Sequence, residues 1–229
     1  MRPIAAISLL LLCPCLRAGQ DAKPKLYAPW VTCFDETGQH FIGPKSMKTP
    51  VLASPDQRNR AYAENEARHD SRFPESCENT ATLYVSVSGA PFRPVFTQSK
   101  ASPENMNAGS LGPAAWSGNS RWLFIEQAVL SYGSDCCGYD FLLYDAATQR
   151  IVQPDIFDAV QRIAGKQCDP MYAGFLGFNA KNQLIVRINY WRDFYENGVS
   201  CGPGSADWLF DPVTNKARLR RRQPEHSRK

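Results

Sequence analysis

Between Ser54 and Arg220 one residue pattern is written three times, and this recurrence limits the chain to a modular fold. The first copy reads SPDQRNRAYAENEA, a loop, then TLYVSVSGAPFRPVFT (Ser54 to Thr97). The second reads WSGNSRWLFIEQAVL, a loop, then DFLLYDAATQRIVQP (Trp116 to Pro154). The third reads GFNAKNQLIVRINYW, a loop, then DWLFDPVTNKARLR (Gly177 to Arg220). Each copy opens on a polar turn: Ser54-Pro55-Asp56, Ser117-Gly118-Asn119 or Asn179-Ala180-Lys181. Such residues favour turns through fixed or positive φ and through local side-chain hydrogen bonds. An apolar strand follows: Arg60 to Glu64, Trp122 to Glu126 and Leu184 to Ile188. After a variable loop comes a second strand carrying Tyr84, Tyr144 or Phe210. A further turn (Ser88-Gly89, Ala146 to Gln149, Pro212 to Asn215) leads into a last short strand. A strand before the first turn, such as Leu111 to Trp116 or Ala173 to Phe178, makes four strands per copy.

Four antiparallel strands per copy, separated by turns, describe propeller blades. The pattern W-S-x-(D/N)-x-R-W-L-x-(F/V), a loop, then L-Y-D-x-x-(T/S)-x-x-(I/V) resembles the TolB-like, WD40-like β-propeller repeat. The second copy fits it with Trp116-Ser117-Gly118-Asn119 and Leu143-Tyr144-Asp145-Ala146-Ala147-Thr148. The first keeps Ser54-Pro55-Asp56 but lacks the tryptophan and the later aspartate; the third keeps Leu209-Phe210-Asp211-Pro212-Val213-Thr214. The chain is also similar to small exported bacterial proteins of this three-copy layout.

The expected fold is all-β. A domain over residues 26–218 holds a partial β-propeller-like array of three four-stranded antiparallel units, at about residues 48–98, 110–154 and 172–218. An N-terminal hairpin and one short helix are added to it. Closed propellers typically need at least four blades. Three copies leave open sheet edges, which invite pairing with another chain, so self-association is an expectation as well. The hairpin (Ala28 to Phe34, the turn Asp35-Glu36-Thr37-Gly38, then Gln39 to Gly43) caps one edge or begins a fourth blade. The helix opens at Pro154-Asp155 and closes at Gly165. Its apolar stripe of Ile156, Phe157, Val160, Ile163 and Ala164 suits a helix lying across a sheet edge or blade end.

Arg2, the apolar run Ile4 to Leu12 and the small or polar residues that follow read as a secretory signal peptide over residues 1–18, with a linker over 19–25. Cys13 and Cys15 make a lipoprotein anchor the lesser alternative. The run is shorter than the roughly 20 residues that span a bilayer, and no later transmembrane segment is expected. The expected location is therefore periplasmic or secreted. The net charge of +4 is concentrated in a basic tail, expected to be disordered over 219–229. A solvated, frayed terminus explains that tail, and no nucleic-acid partner is expected.

Six cysteines remain after the leader: Cys33, Cys77, Cys136, Cys137, Cys168 and Cys201. An even number in an exported chain argues for disulfides. Aligning the copies places Cys77, Cys136/Cys137 and Cys201 in one slot, just before the second hairpin strand. Cys33 and Cys168 precede a copy, so all six are expected at one end of the sheets. The expected pairing is Cys33–Cys77, with Cys136 and Cys137 joined to Cys168 and Cys201. The alternative is a vicinal Cys136–Cys137 bridge with Cys168–Cys201.

The same end carries the long loops and the candidate ligand-binding residues. These are Tyr132, Asp135 and Tyr139 in the second loop, and Tyr190, Trp191, Arg192, Asp193 and Tyr195 in the third. Aromatics interleaved with Arg and Asp suit an interaction surface. The competing reading folds those aromatics back over the sheet. Of the three histidines, His40, His69 and His226, none has metal-ligand spacing. There is no G-x-S-x-G, and Gly202-Pro203-Gly204-Ser205 lacks the lysine of a phosphate loop. Glu64 and Glu66 share a strand face, but a solvated edge explains them. Asp135-Cys136-Cys137 lacks the spacing of a redox pair. No catalytic residue, metal or cofactor is expected. The expected function is an exported, non-catalytic interaction module with a protein or glycan partner in the cell envelope. The alternative is an exported hydrolase or lyase with its site on the same loop face.

Overall fold

The structure is a computed structural model that describes residues 27–29, 31–33, 40–69, 77–100, 107–131, 137–154, 156–164, 168–192 and 205–220. Its elements are β1 (Lys45–Lys48), β2 (Leu52–Ala53), β3 (Arg60–His69), β4 (Cys77–Ser86), β5 (Arg93–Lys100), β6 (Asn107–Trp116), β7 (Trp122–Ser131), β8 (Cys137–Asp145), β9 (Arg150–Val152), α1 (Ile156–Ala164), β10 (Cys168–Phe178), β11 (Leu184–Arg192), β12 (Ser205–Asp211) and β13 (Lys216–Leu219). They build three antiparallel sheets, ordered β1-β3-β4-β5, β6-β7-β8-β9 and β10-β11-β12-β13. The all-β, partial propeller-like array expected from the sequence is what the chain adopts. The segments expected as signal peptide and linker, and residues 221–229 of the expected tail, lie outside the described residues.

Two details differ from expectation. The first sheet has a fifth strand, because β2 pairs with Arg60 and Ala61 while β1 pairs further along β3. Pro50 lies between them and has no N–H to give a ladder. The Thr49 hydroxyl accepts the Ala63 N–H at 2.8 Å and bridges the break. The central strands also outrun the apolar pattern. β3 continues through Asn65-Glu66-Ala67-Arg68 because the ladder to β4 stays in register. Asn65 is 1% exposed and exchanges two hydrogen bonds with the Leu111 backbone, at 3.1 and 2.7 Å. A polar side chain thus stands in for a rung between the first and second sheets.

The second sheet is covered on both faces, which explains its near-continuous apolar strands. Side chains alternate across a strand. Trp122, Phe124, Phe141 and Leu143 face the third sheet, meeting Tyr172, Phe175, Leu184, Val186, Ile188, Trp208 and Phe210. Phe124 stacks on Phe175 with centroids 4.1 Å apart. Leu123, Ile125, Leu142 and Tyr144 face the first sheet. There Ala61, Ala63 and Ala81 are small enough to let β6 lie against β3 and β4. α1 lies against both edge strands of the third sheet, β10 and β13, and buries Ile156 and Val160 in the same core. This is the covering role its stripe implied. Asp155 and Gly165 fall outside the described residues.

The turns repeat in backbone as well as in sequence. Gln57, Ser120 and Asn182 have φ near +60° in the first turns (62, 60 and 59), and Ser88, Gln149 and Asn215 do so in the second (53, 56 and 53). Left-handed backbone costs a non-glycine residue roughly 1–2 kcal/mol, so its return at matching places marks one turn design. Neighbouring units also grip through these residues. The Ser120 hydroxyl accepts the Asp56 N–H and its carbonyl accepts Asn59 Nδ2. Asn182 Oδ1 accepts the Asn119 N–H at 3.0 Å.

Asp145 anchors the second turn of the second sheet. It takes both arms of Arg121 at 2.8 and 2.9 Å, the Ala147 N–H and the Thr148 hydroxyl. Burial alone would raise its carboxyl, but Arg121 and those donors hold it below the ordinary aspartate range. A depressed carboxyl stabilises the fold above its unfolded value, and that stability is lost as pH falls through the folded value. Arg121 is partly exposed, so the effect is modest, about 1–2 kcal/mol. At pH 7 the Asp145→Asn protein should melt below the parent. The gap should close as the pH is lowered below about 4. A gap that stays constant across thermal melts at both pH values would contradict this role.

Candidate functional site

The hairpins β3–β4, β7–β8 and β11–β12 all turn over at one end of the array, opposite the αL turns. Register fixes this: His69 pairs with Cys77, Leu130 with Cys137, and Asn189 with Ser205. β10 starts at that end too, with Cys168 opposite Arg192. Cys33, Cys77, Cys137 and Cys168 therefore lie at the loop end. Cys136 and Cys201 fall outside the described residues. The expected Cys33–Cys77 disulfide is present, with Cα atoms 5.9 Å apart.

The candidate residues divide into three groups. Tyr190, Trp191 and Arg192 end β11, where their backbone pairs with Pro170, Asp169 and Cys168 of β10. A paired ribbon therefore carries this aromatic-basic triplet out to the loop end. Tyr139, expected in the second loop, is instead in β8, half-buried against the main core. Tyr132, Asp135, Asp193 and Tyr195 lie outside the described residues. Glu64 and Glu66 are on the exposed face of the first sheet, paired with Lys48 at 3.3 Å and Arg68 at 2.6 Å. Among the described residues no three His, Cys, Asp or Glu side chains gather as a metal site. His69 packs edge-on against Phe41.

The expected N-terminal hairpin takes a different form. Its arms share one described rung, Ile42 N–H to Cys33 O at 2.9 Å, and the turn Asp35–Gly38 is outside the described residues. Residues 27–29 and 31–33 form no strand. They run instead as a strap across all three sheets. Glu126, in β7 and fully buried, accepts the N–H groups of Tyr27 and Ala28 on one oxygen. Its other oxygen accepts the Tyr172 hydroxyl of β10 at 2.8 Å. Burial, and next the Glu126 charge, push the Tyr172 hydroxyl far above its usual range, so it stays a donor. Further along, Ser110 donates to Pro29 O and Asn79 Nδ2 donates to Val31 O. The disulfide then fastens Cys33 to β4. Gly112 is needed under the strap, because a Cβ there would stand 2.1 Å from Tyr27 O.

Sequence reasoning missed Glu126, Tyr172, Asn79 and Ser110. One signal was available for Glu126. It shares the alternation of Trp122 and Phe124, which places a carboxylate on a core face. Set against protein-family models, curated proteins and solved structures, the chain matches none. The fold alone defines its class: a stack of three antiparallel sheets, strapped across and bridged by sulfur at the loop end.

Proposed function

We propose that the protein is an exported, non-catalytic interaction module of the cell envelope that holds a protein or glycan partner at its loop end. The observation that carries the reading is the Tyr190-Trp191-Arg192 triplet, brought to the loop end on a paired ribbon. Tyr, Trp and Arg are the residue types that dominate binding hot spots. The buried carboxylates argue for structure over catalysis. Glu126 is committed to the strap and Asp145 to Arg121. Asp207, largely buried, is held by Arg187 at 2.9 Å. On this reading the three units are copies of one propeller-type repeat, supported by the recurring turns. The faces that a full propeller would cover carry ion pairs (Lys48–Glu64 on one, Arg187–Asp207 on the other). Charges of that kind disfavour closure by a second copy, since burying them is costly. The Cys33–Cys77 bridge supports an oxidising location.

The test is affinity capture from the native envelope fraction, comparing the parent with Tyr190→Ala/Trp191→Ala/Arg192→Ala. A triple variant that melts within a few degrees of the parent should lose its specific partner by tenfold or more. Equal capture by both proteins would overturn the loop-end assignment. Turnover of a small molecule with no captured protein or glycan would favour the hydrolase or lyase reading.

A further inference from the structure

At the opposite end of the array, the second turns of the first two sheets line a half-open pocket of about 410 Å³. That is within the roughly 300–1,000 Å³ range of small-molecule sites. Val87, Ala90 and Pro91 form its apolar wall, Ser88 and Gln149 bring polar side chains to it, and Arg93 supplies the charge. Ser88 and Gln149 are matching αL residues of successive units, so the site is built by the apposition of two copies.

Arg93 is the odd member of its series. The outer strands β5, β9 and β13 each begin with a cation. In β9 and β13 that cation faces an aspartate in register: Arg150 opposite Asp145, and Lys216 opposite Asp211. Arg93 faces Val85. Of the three cations, Arg93 is the one with no acid in register. Behind Arg93, the fully buried Tyr144 hydroxyl has no hydrogen-bond partner. The guanidinium lies close enough for its charge to act on that hydroxyl. An arginine with no ion pair among the described residues, at an apolar pocket, leaves room for a carboxylate from outside.

We infer that this pocket is a second binding site, for a small ligand with one carboxylate and a short apolar body, the carboxylate on Arg93 and the body against Val87, Ala90 and Pro91. It is separate from the loop end and does not depend on the function proposed for that end. Hexanoate is the probe, titrated into the full-length protein and followed by amide NMR shifts; hexanol is its neutral counterpart. Saturable shifts should appear at Ser88 and Gln149, with hexanol about tenfold weaker. Arg93→Gln should weaken hexanoate by about tenfold or more while leaving the thermal melt unchanged, because Arg93 is exposed and outside the core. Arg93→Lys, which keeps the charge and loses the fork, should fall between. Equal binding of hexanoate and hexanol, hexanoate binding that survives Arg93→Gln, or shifts that never saturate would each overturn the site.

Discussion

Replacing Glu126 with alanine is expected to destabilise the fold by about 3–5 kcal/mol, because it strands three donors in the interior. The Tyr27 and Ala28 N–H groups and the Tyr172 hydroxyl all end on this one carboxylate. The Ala28 N–H and the Tyr172 hydroxyl have no water to turn to, since Glu126 is fully buried and Ala28 and Tyr172 are each 7% exposed; Tyr27 is half-buried. For a domain of this size the loss corresponds to about 10 °C in melting temperature. Glu126→Gln should recover only part of it. An amide has one acceptor atom, and its NH2 would point at a donor. Tyr172→Phe removes one donor cleanly and should cost much less, about 1 kcal/mol. Thermal melts of the three variants give the order directly. An alanine variant that melts with the parent would show that the strap is not held as described.

The second large effect concerns the sulfur bridge. Removing both cysteines in Cys33→Ser/Cys77→Ser opens a loop of 44 residues. The chain-entropy account gives about 4 kcal/mol for a loop of that length. The bridge also joins the strap to β4 at the loop end, in a small cluster of Val31, Ala67 and the two cysteines. Under non-reducing conditions the double variant should unfold at a clearly lower denaturant concentration than the parent. It should also show faster amide exchange at Val31 and Thr32 than at Leu123 or Val186, which sit in the main cores. Coincident unfolding curves would mean that the bridge contributes nothing to the native state.

The sequence made the units legible because their signals are local. A polar turn, an apolar alternation and a second turn fall within each copy, and Gln57, Ser120 and Asn182 show the same backbone solution at each. The helix was legible for the same reason. The Cys33–Cys77 pair was readable through topology, since a four-strand unit brings its entry and middle loop to one end. What stayed hidden depends on distant partners. Glu126 and Tyr27 are 99 residues apart, and Asn79 and Val31 are 48. No window of sequence shows that an irregular segment will supply backbone donors to a carboxylate in a distant strand. Residues 28–34 looked strand-like from their apolar content. Of the described residues among them, Ala28, Pro29 and Val31 bond to side chains of the sheets, and only Cys33 O takes a backbone rung. The break at Pro50 was visible in principle, because proline interrupts a strand wherever its N–H would be needed. The binding candidates were only partly legible. Composition marked both aromatic loops alike, but Tyr139 packs into the core while Tyr190 to Arg192 extend a paired ribbon.

The loop-end assignment is tested most directly by site-specific photo-cross-linking in the native envelope. One protein carries the photoreactive residue at Trp191, at the loop end; a second carries it at Thr82, on the outer face of the first sheet opposite Glu64. The expected result is a discrete adduct from position 191 and none from position 82. An adduct from position 82 with none from 191 would contradict binding at the loop end and move it to the sheet face.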